Sequence, residues 1–139
     1  MKALTALVSL VLATGAQAQT AKEKSELSEQ CGKQAKELFE KERGTGVSNL
    51  ADGWQINNYE NHYNFRLNKC FYLETSNIWH RDKPAPSDKL MKLLDLHENR
   101  QIAIYSKIER NAFVACLVQD KQCKSEEEWR ALIKPFMED

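Results

Sequence analysis

The sequence predicts an α+β fold: an antiparallel sheet of about four to five strands flanked by an N-terminal and a C-terminal helix, with the helices on one face. Three observations carry this reading. A 3.6-residue apolar stripe behind a capping box appears near residue 21 and again near residue 126. Between them, aromatic and β-branched residues alternate with polar ones around turn-forming Asn and Pro. No helical segments alternate with these strands, which disfavours a parallel sheet.

The first helix is expected over residues 21–42. Thr20 and Glu23 form its capping box, and Gly44 follows its last turn. Its apolar positions are Leu27, Cys31, Ala35, Leu38 and Phe39, so Cys31 turns toward the core. The stretch Gly44–Gly53, rich in Gly, Ser, Asn and Asp, reads as a loop. From Ile56 to Ser76 the pattern suits an aromatic-rich β-hairpin turning near residues 66–69. A short helix through Tyr59, Tyr63, Leu67 and Cys70 is the competing reading, because short apolar runs are ambiguous.

Pro84-Ala85-Pro86-Ser87 cannot join a regular ladder. The leucines of Leu90–Leu96 favour a helix, but Asn99 followed by Ile102, Ile104 and Ser106 on one face favours a second hairpin, which is the expectation adopted. Phe113–Val118 is a further β-prone run. The closing helix starts at a Ser125/Glu128 capping box and carries Trp129, Leu132, Ile133, Phe136 and Met137 on one stripe; Pro135 should distort or end it near Lys134.

Residues 1–18 have the layout of a secretory signal peptide. Lys2 precedes an apolar run of eleven residues, Ala3 to Ala13, and small residues stand at positions −3 and −1 of a cut after Ala18. The run is shorter than the roughly 18 residues that span a bilayer. The expected organisation is therefore a cleaved signal peptide, 1–18, and a single disulfide-stapled domain, 19–139, working in the periplasm or outside the cell. Lys2 is the only charge removed, which leaves 19 Lys and Arg against 20 Asp and Glu, a net of −1. Such a surface exerts no long-range pull on nucleic acid, and nothing beyond Ala18 suggests a membrane span.

Four cysteines, Cys31, Cys70, Cys116 and Cys123, read as two disulfides in an exported chain. Four allow three connectivities. Cys31 and Cys70 both fall on core-facing positions, and the polar turn Gln119–Gln122 can return Cys123 to Cys116, so those two pairs are favoured. No Cys-x-x-Cys and no nearby His supports a redox or zinc site, so no metal and no cofactor are expected.

Catalytic signatures are sparse. There is no Gly-x-Ser-x-Gly, His-Glu-x-x-His, P-loop or Gly-rich dinucleotide turn. Of His62, His80 and His97, the first is the best candidate: on a strand, Glu60, His62 and Asn64 share one face and could tune an imidazole for general-base work. The alternative is a solvent-facing strand with a hydrogen-bonded structural histidine. Among the aromatics, Tyr59, Tyr63 and Phe65 facing inward would leave Tyr72 outside beside Trp79, a small ligand-contacting patch.

The stretch Tyr59-Glu60-Asn61-His62-Tyr63-Asn64, with Leu67-Asn68-Lys69-Cys70-Phe71, resembles a pattern found in small exported bacterial proteins of unknown function. The likeness extends to the Cys31 helix and to Cys116…Cys123-Lys124-Ser125. The resemblance implies a bacterial envelope setting and the cysteine staple, and no reaction. The expected function is thus a non-catalytic module that binds an envelope or extracellular macromolecule through Tyr72 and Trp79. The alternative is a small periplasmic hydrolase using His62 with Glu60.

Overall fold

The computed structural model describes residues 19–108 and 113–139. The expected signal segment, 1–18, lies outside the described residues. The elements are α1 (Ala21–Arg43), β1 (Val47–Leu50), β2 (Gly53–Asn64), β3 (Lys69–His80), β4 (Asp88–Asp95), β5 (Arg100–Ile108), β6 (Phe113–Val118), β7 (Lys121–Gln122) and α2 (Glu126–Met137). Every strand pairs antiparallel with the next, giving one sheet in sequence order. The fold is α+β as the sequence predicts, but the sheet has seven strands, not four to five. The two extra strands, β1 and β7, are short edge pieces, four and two residues long, with mostly exposed side chains. Edges need no apolar alternation, so they left no pattern to read.

Both disulfides form as favoured, Cys31–Cys70 and Cys116–Cys123. The first ties α1 to β3. The even residues of β3 face α1: beyond Cys70, Glu74 pairs with Arg43 of the helix at 2.7 Å. The odd residues face α2, with Phe71 and Leu73 in one buried cluster with Trp129 and Ile133. Strand side chains alternate between faces, so the helices cover opposite faces of the sheet, not one. The physical reason is visible in β3, buried without a break from Cys70 to Glu74, which needs a cover on each side.

Each helix is cut as its signals suggest, with two differences. In α1 the capping box is complete, with Thr20 and Glu23 bonding each other's backbone N–H. In α2 Ser125 accepts from the Glu128 N–H, but the Glu128 carboxylate turns to the Lys124 N–H. Pro135 does not end α2, which runs on to Met137. Its ring sits in the last turn, and the carbonyls left unpaired at the end of the helix find other partners. Asn64 Nδ2 reaches the carbonyls of Pro135, Phe136 and Glu138, and Arg66 also donates to that of Pro135.

The second hairpin forms, with Asn99 in the left-handed region at φ 48°. A register shift at Leu93/Leu94 drops Ile102 into the cluster under α2, so it does not share a face with Ile104 as the alternation implies. Asp95 organises this turn. Its buried carboxylate accepts the His97 and Glu98 N–H groups and pairs with Lys69 at 2.6 Å. Burial pushes the Asp95 carboxyl up, but the Lys69 ammonium and the turn amides together hold it below its usual value. A folded-state carboxyl held low stabilises the fold above its unfolded value, about pH 4, and that contribution is lost as pH falls through the lower folded value. Stability is therefore expected to fall on acidification below about pH 4, and Asp95→Asn to flatten that fall. The same variant should cost about 1–3 kcal/mol at pH 7. Urea midpoints from pH 7 to pH 2 check this; an unchanged acid slope in Asp95→Asn contradicts it.

Candidate functional site

β2 and β3 run side by side for twelve residues, and their even and odd positions respectively look toward the α2 side. The helix lies across only part of that face. His62 and Asn64 fall beneath its C-terminal end, whereas Trp54, Ile56, Asn58 and, across from them, Thr75, Asn77 and Trp79 lie on the same face toward the other end of the hairpin.

At the far end of this strip Trp54 and Trp79 stand opposite each other in the register. Their ring centroids are 6.2 Å apart and their planes 10° from parallel. Trp54 is 38% exposed, one of the most exposed large apolar side chains among the described residues. Gly53 permits the close strand approach behind the pair, since a Cβ there would run into the Trp79 carbonyl. His80 braces the same end. Its Nδ1 lies 2.9 Å from Asp52 in the β1–β2 turn, and its Nε2 lies 3.2 Å from Asp88 at the start of β4.

Beside the indoles, a cleft of about 490 Å³ opens between the start of β4 and the N-terminal turn of α2. Asn77, two residues from Trp79 on the same face, lines it. Three lysines, Lys89, Lys107 and Lys124, face three carboxylates, Asp88, Glu126 and Glu127. Lys89 pairs with Glu126 at 2.8 Å, and Arg130 holds the same carboxylate at 3.0 Å. Burial pushes Glu126 up, but these two cations keep it below the usual carboxylate range. Ser87 also lines the cleft. It is 8% exposed, its N–H is spent on the Ile78 carbonyl, and its Oγ is buried without a hydrogen-bond partner among the described residues. A shallower cleft of about 360 Å³ follows along α2, lined by Glu60, Arg130 and Lys134.

The candidates named from sequence fall apart. Tyr72 is not on the surface beside Trp79: it is 1% exposed beneath α1, its ring 5.5 Å from Tyr59 and its hydroxyl bonded to Glu74. Seven residues separate the two, an odd number, so strand alternation places them on opposite faces. Burial and the Glu74 carboxylate push the Tyr72 phenol up, which keeps it a neutral donor. Tyr63 does face inward, 5% exposed.

Glu60, His62 and Asn64 do share one face, as alternation requires, but they make no common site. Asn64 is fully buried, latching the end of α2. His62 Nε2 is buried and lies 3.6 Å from Asp139 Oδ1, beyond hydrogen-bond length, while Glu60 is exposed at the shallower cleft. His97 Nδ1 accepts the Cys70 N–H at 3.1 Å, a strut beside the disulfide. Among the described residues, no group of three or more His, Cys, Asp or Glu is placed to hold a metal ion.

Sequence reasoning missed Trp54 as a partner for Trp79, and it missed Ser87, Asn77 and His80. The signal for Trp54 was available only through register: a hairpin centred on residues 66–67 puts residue 54 opposite residue 79. Nothing local marks Ser87, whose role depends on α2 closing over β4. Comparison with family models, curated proteins and solved structures finds no match to this chain.

Proposed function

We propose that this chain is a non-catalytic binding module of an exported protein, contacting its partner through Trp54, Trp79 and the cleft beside them. The observation that carries this is the stacked indole pair, Trp54 exposed and Trp79 half-buried, on a strip of sheet that α2 leaves open, next to a polar cleft. Aromatic side chains are costly to leave in water without use, and paired ones supply large contact area at low entropy cost. The hydrolase alternative has less support, since His62 presents a buried nitrogen to Asp139 and, among the described residues, the cleft that Glu60 lines does not include His62.

Export is supported by two disulfides and by the leader pattern of residues 1–18. No helix among the described residues is long and apolar enough to cross a membrane. Mass spectrometry of material recovered from the envelope or medium is expected to show Gln19 at the N-terminus; an intact Met1 overturns export. The binding reading is tested by passing envelope extract, fractionated into protein, lipid and glycan, over the immobilised oxidised protein. Components held by the wild type are expected to be lost with Trp54→Ala and Trp79→Ala. Equal retention by both variants overturns the site.

A further inference from the structure

The chemistry of the cleft narrows what the indole pair receives. Resting on the binding reading above, we infer that Trp54, Trp79 and the Ser87 cleft form a carbohydrate-binding site for a neutral oligosaccharide. Two independent observations point there.

The first is the indole pair itself. Pyranose rings have faces made of C–H groups and rims made of hydroxyls, so they stack on indoles while their edges stay polar. Two near-parallel rings stacked on one another with centroids 6.2 Å apart leave the outer face and edge of the more exposed Trp54 as such a surface, held in place by the close approach at Gly53 and by the His80 brace.

The second is the orphaned hydroxyl. Ser87 Oγ is buried and unpartnered among the described residues, in a wall one residue removed in the ladder from Trp79. A buried hydroxyl without a partner is costly, and once turned about χ1 toward the cleft that Ser87 lines, it can take from a ligand hydroxyl both the donor and the acceptor it lacks. Asn77 adds an amide on the same face.

Charge decides between ligand classes. Three lysines against three carboxylates leave the cleft formally neutral, with Lys89 and Asp88 each already engaged. A nucleic acid strand would use the indoles for stacking but would need a basic groove along its backbone, which the described residues of the cleft, three lysines against three carboxylates, do not make. An anion at the α2 N-terminus would meet the Glu126 and Glu127 carboxylates. An apolar or proline-rich peptide suits the indoles but leaves the cleft's charges and the Ser87 hydroxyl unmatched. A chain of neutral sugars satisfies the apolar platform, the paired donors and acceptors, and the zero net charge together.

The test titrates chitotetraose, cellotetraose and maltotetraose, with a proline-rich peptide alongside, into the oxidised protein. Tryptophan emission and backbone amide shifts are followed. At least one tetrasaccharide is expected to bind saturably below about 10 mM, with shifts confined to Trp54, Asn77, Trp79, Ser87 and their neighbours. Trp79→Ala and Trp54→Ala should weaken it by about tenfold or more, with the disulfides and the thermal midpoint retained. Ser87→Ala should weaken binding several-fold while raising the thermal midpoint of the free protein, because it removes the orphaned hydroxyl. No saturable response to any sugar overturns the carbohydrate assignment alone; the extract experiment above decides the binding reading separately. Trp-dependent binding of the peptide instead of a sugar also overturns the assignment and leaves the site standing. Sugar binding that both tryptophan variants retain removes the site as well.

Discussion

Trp129→Ala is expected to cost about 3–5 kcal/mol, the largest effect of any single core truncation in this chain. Trp129 is completely buried, and it is the largest side chain in the cluster beneath α2. Its ring packs 6.3 Å from Tyr105, and its Nε1 donates to the Leu117 carbonyl at 3.3 Å. Truncation leaves a void in the cluster that also holds Met91, Leu93 and Ile133, and a close-packed core relaxes only partly into such a void. Because domains of this size have only about 5–15 kcal/mol in hand, much of the variant should unfold near body temperature. Trp129→Phe keeps most of the ring and should lose far less. Urea unfolding checks both, as a lower midpoint at unchanged slope; a loss below about 1 kcal/mol for Trp129→Ala would contradict this account of the core.

The second large effect is expected on removing the Cys31–Cys70 bridge. The cysteines are 39 residues apart in sequence, and a loop of that size corresponds to about 3–4 kcal/mol in the chain-entropy treatment. The loss should be felt first at α1, whose other apolar holds on the sheet include the Phe39–Tyr59 ring contact and the partly buried Leu27. Only Cys31 and Ala35 of its 23 residues are fully buried. The Arg43–Glu74 pair anchors its far end, where the carboxylate raises the guanidinium's affinity for its proton against the opposing effect of burial. Cys31→Ala with Cys70→Ala should therefore lower the thermal midpoint by roughly 10–20 °C and increase amide exchange across α1 first. The Cys116–Cys123 bridge closes a span of 7 residues beside the edge strand, so its removal should cost less, about 2 kcal/mol. Equal losses for the two bridges would show that the constraint on α1 lies elsewhere.

These two residues sets also mark how far the sequence could be followed. The Thr20 and Ser125 caps, the apolar stripes on α1 and α2, the β2–β3 and β4–β5 hairpins and the Cys116–Cys123 pair were legible, because each rests on interactions a few residues apart or on alternation; Cys31–Cys70, 39 residues apart, was favoured only because both cysteines fall on core-facing positions. The edge strands β1 and β7 were not, because an exposed edge is defined by its neighbour's hydrogen bonds and leaves side-chain choice free. The placement of Ile102 was misread because a bulge shifts parity, and a bulge has no mark in this sequence.

The candidate site divides in the same way. Trp79 was identifiable as a surface aromatic, but pairing it with Tyr72 required two residues of opposite parity to share a face. Glu60 and His62 were correctly placed on one face, yet their surroundings were set by the C-terminal residues folding back over His62, 77 positions later in the case of Asp139. By itself the sequence determined the two helices, the two long hairpins and the charge balance of the surface, and it favoured the cysteine pairs that form. Only the tertiary structure decided that the helices cover opposite faces, that Trp54 meets Trp79, and that the Ser87 hydroxyl is left without a partner among the described residues. Those outcomes depend on which strand lies beside which and on where α2 stops covering the sheet, and such long-range packing is not encoded in any local spacing of residue types.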